Sequence, residues 1–161
     1  MTGSTHIAAG FVVGCGLCAI VQPTPELTVT AVLTAAISSL LPDIDTASSK
    51  IGCRIAPLAW ILRILFGHRH FFHSLFCWVV VSGAAWLLLG RPIIALSIFL
   101  GSISHLLLDM LNPSGVQLFW PLPKKVVLAH LRCGGLIDRL LTLLFTGLSL
   151  WLGYLCIARY L

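Results

Sequence analysis

The sequence predicts an all-α integral membrane protein with about five transmembrane helices and a short interfacial or re-entrant helix. Composition is the first reason. Of the 161 residues, 58% are hydrophobic and 9% charged, and the mean hydropathy is +1.03. Soluble domains carry about 25% charged residues, so this chain cannot cover a water-facing surface. Apolar stretches close to spanning length, recurring along the chain, are the second reason. The third is that the ten Lys and Arg fall between those stretches, where they act as topology signals. A soluble globule, a disordered tail and a disulfide-stapled secreted module are thereby set aside. The net charge of +5 does not point to nucleic acid, because no basic stretch is interleaved with aromatics. No repeat, linker or low-complexity tract divides the chain, so 1–161 reads as a single multi-span membrane domain.

Residues 6–21 open the series. They lack the basic n-region of a secretory signal, which predicts a retained helix. Gly10 and Gly14 form a small-xxx-small pair that lets another helix of the same protomer approach closely. Stretches 27–41 and 75–89 are short and need flanking residues or a thinned bilayer to span. The run 55–66 is shorter still and contains Arg63, which suits an interfacial or re-entrant helix. In 92–111, Pro92 fits a first helical turn, and Asn112-Pro113 stops the helix. The last stretch is 140–158. Cys15, Cys18, Cys77 and Cys156 lie in apolar segments, while Cys53 and Cys133 lie in basic loops without paired spacing, so no disulfide framework is expected. Cys15 and Cys18 read as small packing residues.

Five alternating spans place loops 42–74 and 112–139 on the side of the N-terminus. Lys50, Arg54, Arg63, Arg69, Lys124, Lys125, Arg132 and Arg139 are on that side, against Arg91 and Arg159 opposite. The positive-inside rule makes the first side cytoplasmic and sends the C-terminus across the membrane.

The same arithmetic gathers the polar residues. His6 opens the first span, Asp43 and Asp45 close the second, His68, His70 and His73 precede the third, His105 and Asp109 end the fourth, and Asp138 opens the fifth. All these ends lie in one layer, with His130 nearby and Glu26 alone opposite. Ser102, His105, Asp109 and Asn112 follow at steps of three, four and three, a polar stripe on one helical face. An ionisable group at a helix centre costs about 2.5–3.5 kcal/mol on insertion scales, so it is kept for a partner or a task. Three readings compete: a metal site, a proton or ion path, and helix-end pairing without chemistry. Imidazole with carboxylate suits zinc first, with manganese or iron as alternatives. The set Asp43, Asp45, His68, His73, His105 and Asp109 is sufficient for one ion or two. Taken alone, His70 and His130 read as solvated loop residues, and Asp138 as a helix N-terminal acid.

The blocks Thr5-His6-x-x-x-Gly10, Leu41-Pro42-Asp43-Ile44-Asp45, His68-Arg69-x-x-x-His73-Ser74 and Ser104-His105-x-x-x-Asp109, followed by Asn112-Pro113-x-Gly115-Val116 and Trp120-Pro121, resemble a bacterial inner-membrane family. That family is described as LexA-regulated, membrane-bound metal-dependent hydrolases. The resemblance runs from about residue 4 to 139, in the family's block order. It implies that His6, Asp43, Asp45, His68, His73, His105 and Asp109 are the family's polar positions, with Asp138 its late acidic residue. Here His70 and Phe72 stand where the family block carries Gly and Thr.

The expected activity is metal-assisted hydrolysis at the cytoplasmic headgroup level. Its ligands would be Asp43, Asp45, His68, His73, His105 and Asp109. His6 and Asp138 would serve as base or supporting groups, and Arg69 would clamp an anion bidentately. Location predicts membrane lipid as partner and a lipid or lipid-linked phosphoester as substrate; an oligomer is compatible. No Gly-x-Ser-x-Gly elbow supports a serine nucleophile. A metal-ion or proton transporter using the same residues is the rival, although no inverted repeat is evident, and a scaffold without chemistry is the third possibility.

Overall fold

The computed structural model describes residues 1–46, 49, 53, 57, 60 and 71–161. Among the described residues there are five α-helices: α1 (Gly3–Val21), α2 (Pro25–Ser38), α3 (Leu75–Leu89), α4 (Pro92–Asp109) and α5 (Leu136–Ala158). A 3-10 turn, Leu41–Asp45, follows α2. Among the described residues there is no strand, only an isolated antiparallel bridge between Val116 and Val126. The protein is therefore all-α. Helices α1, α4 and α5 are long and apolar enough to cross a membrane, whereas α2 and α3 have 14 and 15 residues. At 1.5 Å per residue these two cover about 21–23 Å of a hydrocarbon core of about 30 Å. The apolar run 55–66 lies outside the described residues apart from Pro57 and Trp60.

Local chemistry explains the helix ends. Pro25 and Pro92 sit at the starts of α2 and α4, where a missing N–H is harmless. Gly90 ends α3 in the left-handed region at φ 62°. Helix α4 stops at Asp109, before the Asn112-Pro113 pair, and α5 begins four residues earlier than hydropathy alone suggests, so Asp138 falls in its first turn.

Helix α4 is central, packing on α1, α2 and α3, and α5 lies mainly against α1. Close backbone approach makes this possible. A Cβ on Gly101 would stand 2.3 Å from the Ala35 carbonyl oxygen, and one on Gly10 would stand 2.6 Å from Ser39 Oγ. The Gly10/Gly14 pair thus seats α1 against α2 within one protomer. Away from the polar layer, Cys18, Ala31, Ile93, Ile94 and Cys156 form an apolar cluster, and no disulfide joins any of the six cysteines. Exposed Leu140, Leu143, Leu144, Leu150 and Trp151 on α5 give it a lipid-compatible surface.

The orphan carbonyls at the end of α4 are claimed by the following loop. Leu128 N donates to Met110 O at 2.7 Å, and Leu131 N to Leu111 O at 2.8 Å. Leu75 N donates to Leu118 O at 2.9 Å, which ties the start of α3 to the same loop. The starts of α1, α3 and α5 therefore meet the ends of α2 and α4 at one end of the bundle.

Candidate metal centre

Four side chains converge there. One ligand atom each from Asp43, His73, His105 and Asp109 lies within 4.8 Å of all the others. His73 Nε2 is 3.6 Å from Asp43 Oδ1 and 3.8 Å from Asp109 Oδ2, and His105 Nε2 is 3.8 Å and 3.6 Å from the same two atoms. The two histidines are fully buried and Asp109 nearly so, while the Asp43 side chain is 23% exposed and forms the open side.

Each residue is delivered by a neighbouring element. The last turn of α2 leaves carbonyls without helical partners, and α4 captures two of them: Ser102 Oγ donates to Ser38 O, and His105 Nδ1 lies 2.8 Å from Ser39 O. A carbonyl only accepts, so Nδ1 carries the proton and the Nε2 lone pair is free to face the carboxylates. Pro42 then turns the chain through the 3-10 helix that presents Asp43. His73 is held from both sides, since Trp78 Nε1 donates to Phe72 O at 2.8 Å and Ser74 Oγ caps α3 by accepting from Cys77 N.

This donor set fits a cation. Bonds of about 2.0–2.1 Å at tetrahedral angles separate ligand atoms by about 3.4 Å, close to the 3.6–3.8 Å spacings here. Neither His73 nitrogen has a hydrogen-bond partner, nor does His105 Nε2; an unpaired buried polar group ordinarily costs about 1–3 kcal/mol. Two carboxylates within 4.8 Å repel by about 3–4 kcal/mol at an effective dielectric of 20. A positive ion relieves both penalties. Burial pushes the Asp43 carboxyl up, but the adjacent His73 and His105 imidazoles outweigh it, leaving the group lowered to about 2. Burial lowers His73 against the pull of Asp43. At neutral pH both are in their ligand forms. The four residues could therefore bind a metal ion.

The other residues singled out in the sequence lie as follows. Asp45 is buried and accepts from Thr46 Oγ1 at 3.1 Å, outside the four-residue group. A 3-10 helix turns about 120° per residue, so carboxylates two positions apart do not share a direction. His68, Arg69 and His70 lie outside the described residues. His6 is buried, stacks on His105 with centroids 3.8 Å apart, and brings Nε2 to 3.3 Å from Asp109 Oδ1. Asp138, also buried, accepts from Thr2 N at 3.0 Å, from Gly134 N at 2.7 Å and from Thr5 Oγ1. It clamps the start of α1 to the start of α5. His130 is exposed. Sequence reasoning did not anticipate the Ser39 carbonyl, because backbone acceptors leave no signature in residue identity, nor the Met1 amine 2.7 Å from Asp109 Oδ1.

Three comparisons bear on identity. No solved structure matches the chain. It is 30% identical over 151 residues to the "Uncharacterized protein YvsG" of Bacillus subtilis, covering 93% of this chain and 91% of that one. It is 34% identical over 125 residues to "Inner membrane protein YdjM" of Escherichia coli, covering 73% of this chain and 64% of the relative. These names state a location or nothing, and no reaction, so they do not reach the narrower hydrolase description. The family described as YdjM inner membrane protein matches residues 1–160, and the chain belongs to that family.

Proposed function

We propose that this protein is a membrane-embedded metal-dependent hydrolase whose centre is formed by Asp43, His73, His105 and Asp109. The observation that carries the reading is the meeting of two buried imidazoles, with Nε2 atoms lacking hydrogen-bond partners, and two carboxylates within 4.8 Å. A divalent cation held there, zinc by preference for this donor set, supplies Lewis acidity toward water and an ester oxygen. The chain's own groups do the rest. Ser39 O fixes the His105 tautomer. The buried faces of His73 and His105 exclude bulk water, and Asp43, on the open side, is placed to meet substrate and accept a proton.

A lipid or lipid-linked phosphoester is the proposed substrate, met at the cytoplasmic headgroup level, with Arg69 as the proposed anion clamp. Two apolar depressions on the lipid-facing surface support this. One of about 400 Å³ is lined by residues including Val79, Trp86 and Phe99, and one of about 270 Å³ by Phe76, Val79 and Trp120. They share Val79 and lead along α3 toward the segment bearing His73, a path suited to an acyl chain. The rival reading, a metal-ion or proton transporter, needs ionisable groups through the membrane thickness. The present cluster lies at one end of the bundle, which favours hydrolysis.

The test is elemental analysis of detergent-purified protein beside His105→Ala and Asp43→Ala, followed by phosphate release from phospholipid vesicles with and without chelator. Metal lost in the variants and chelator-sensitive release are expected. Wild-type metal content in both variants removes the centre, and metal-dependent ion flux without hydrolysis transfers it to the transporter reading.

A further inference from the structure

A carboxylate has two oxygens and about four lone-pair directions, and Asp109 uses its oxygens toward different partners. Oδ2 faces His73 and His105 in the centre. Oδ1 faces His6 Nε2 at 3.3 Å, Asn112 Nδ2 at 3.1 Å and the Met1 amine at 2.7 Å.

The His6 ring is 1% exposed, and neither of its nitrogens has a hydrogen-bond partner. Its plane is fixed by the stack on His105, 3.8 Å between centroids and 17° between planes. The stacked rings therefore carry one Nε2 to each oxygen of the same carboxylate. Asn112 is also buried, and its Oδ1 has no partner; a half-turn of the amide exchanges Nδ2 for Oδ1 beside Asp109.

We propose that the Oδ1 side of Asp109 is a second divalent-cation seat, held by His6 Nε2, Asp109 Oδ1 and Asn112 Oδ1, so that Asp109 bridges two ions. This rests on the centre argued under Proposed function and adds a second ion to it. Bridging carboxylates hold paired ions about 3.5–4 Å apart, where two charges can act on both the attacking and the leaving oxygen of a displacement. The seat explains two features the first site leaves idle: a buried imidazole without hydrogen bonds and a buried amide oxygen without a donor. Asp109 closes α4 and Asn112 follows three residues on, so the end of that helix supplies both groups. The Met1 amine competes for the same oxygen and withdraws when the ion enters.

The full chain in detergent, stripped by chelator and reloaded with Mn²⁺, tests this. Two Mn²⁺ per chain with an exchange-coupled paramagnetic resonance spectrum are expected. His6→Ala and Asn112→Ala, each checked for unchanged helical circular dichroism, should halve bound Mn²⁺ and leave an uncoupled signal. Should one variant fail to fold, the other still reads the seat. One Mn²⁺ in wild type, or two retained in both folded variants, overturns the second seat and leaves the first centre standing. No Mn²⁺ in wild type overturns both.

Discussion

His105 Nδ1 and the carbonyl oxygen of Ser39 lie 2.8 Å apart, and this contact turns the end of one helix into the orienting device of a metal ligand on another. The neighbouring contact, Ser102 Oγ to Ser38 O at 3.2 Å, uses the same helix end without facing the centre. The two should separate on mutation. His105→Ala should lower bound metal by at least about tenfold, the scale on which losses around metal sites fall. Ser102→Ala should cost about 1 kcal/mol of stability and retain near-wild-type metal. Equal metal loss in the two variants, measured by elemental analysis, would contradict the assignment.

Asp138 ties Thr2, Thr5 and Gly134 together and so positions the α1 turn that bears His6. Asp138→Asn replaces an acceptor with an N–H that must face a donor. The variant should lose about 2–4 kcal/mol of stability, since hydrogen bonds to charged groups are worth about 1.5–3 kcal/mol each and do not add fully. Metal at the four-residue centre should persist. Thermal unfolding in detergent and metal content read the two effects separately, and metal loss without destabilisation would make Asp138 a ligand instead.

The polar layer was legible because membrane topology converts sequence order into position. Once spans are drawn, Asp43, His73, His105 and Asp109 fall at the same end of the bundle. Helical spacing also exposed the stripe from Ser102 to Asn112. What could not be read was direction at short range. Asp43 and Asp45 look like a pair in sequence, yet the 3-10 turn carries Asp43 into the group and leaves Asp45 with Thr46. Nor could sequence show that His6 stacks on His105, which depends on how closely α1 and α4 approach.

That approach depends on glycine. In Gly101→Ala the new Cβ would stand 2.3 Å from a backbone oxygen of α2, which cannot yield as a side chain does. Overpacking costs about 1–3 kcal/mol, and here it would also part Ser38 and Ser39 from α4. Gly83→Ala on α3, where a Cβ meets nothing within 4 Å, should be neutral or gain up to about 1 kcal/mol from helix propensity. Unfolding midpoints should rank Gly83→Ala at or above wild type and Gly101→Ala below it; the reverse order would refute the α2–α4 contact.

Acid should act on the centre through His73. Ligands bind metal in their deprotonated forms, and Asp43, lowered to about 2 by His73 and His105 against its burial, stays ionised throughout the pH range 5–8. His73 is lowered from the ordinary 6.5, first by burial, so the folded chain holds it neutral while an unfolded chain takes up the proton. The sign follows: His73 contributes stability in full above pH 6.5, and that contribution is lost as pH falls below it. The Asp43 contribution is present above the ordinary 3.8 and is lost only as pH falls toward 2. Metal occupancy of the folded chain should therefore hold as pH falls through 6.5 and decline only below it, whereas the unfolding midpoint of the stripped protein should already decline between pH 7 and 5. Equilibrium dialysis at stepped pH measures the first and thermal scans the second. A midpoint of the stripped protein that stays flat from pH 7 to pH 5 would contradict a His73 that the fold holds neutral.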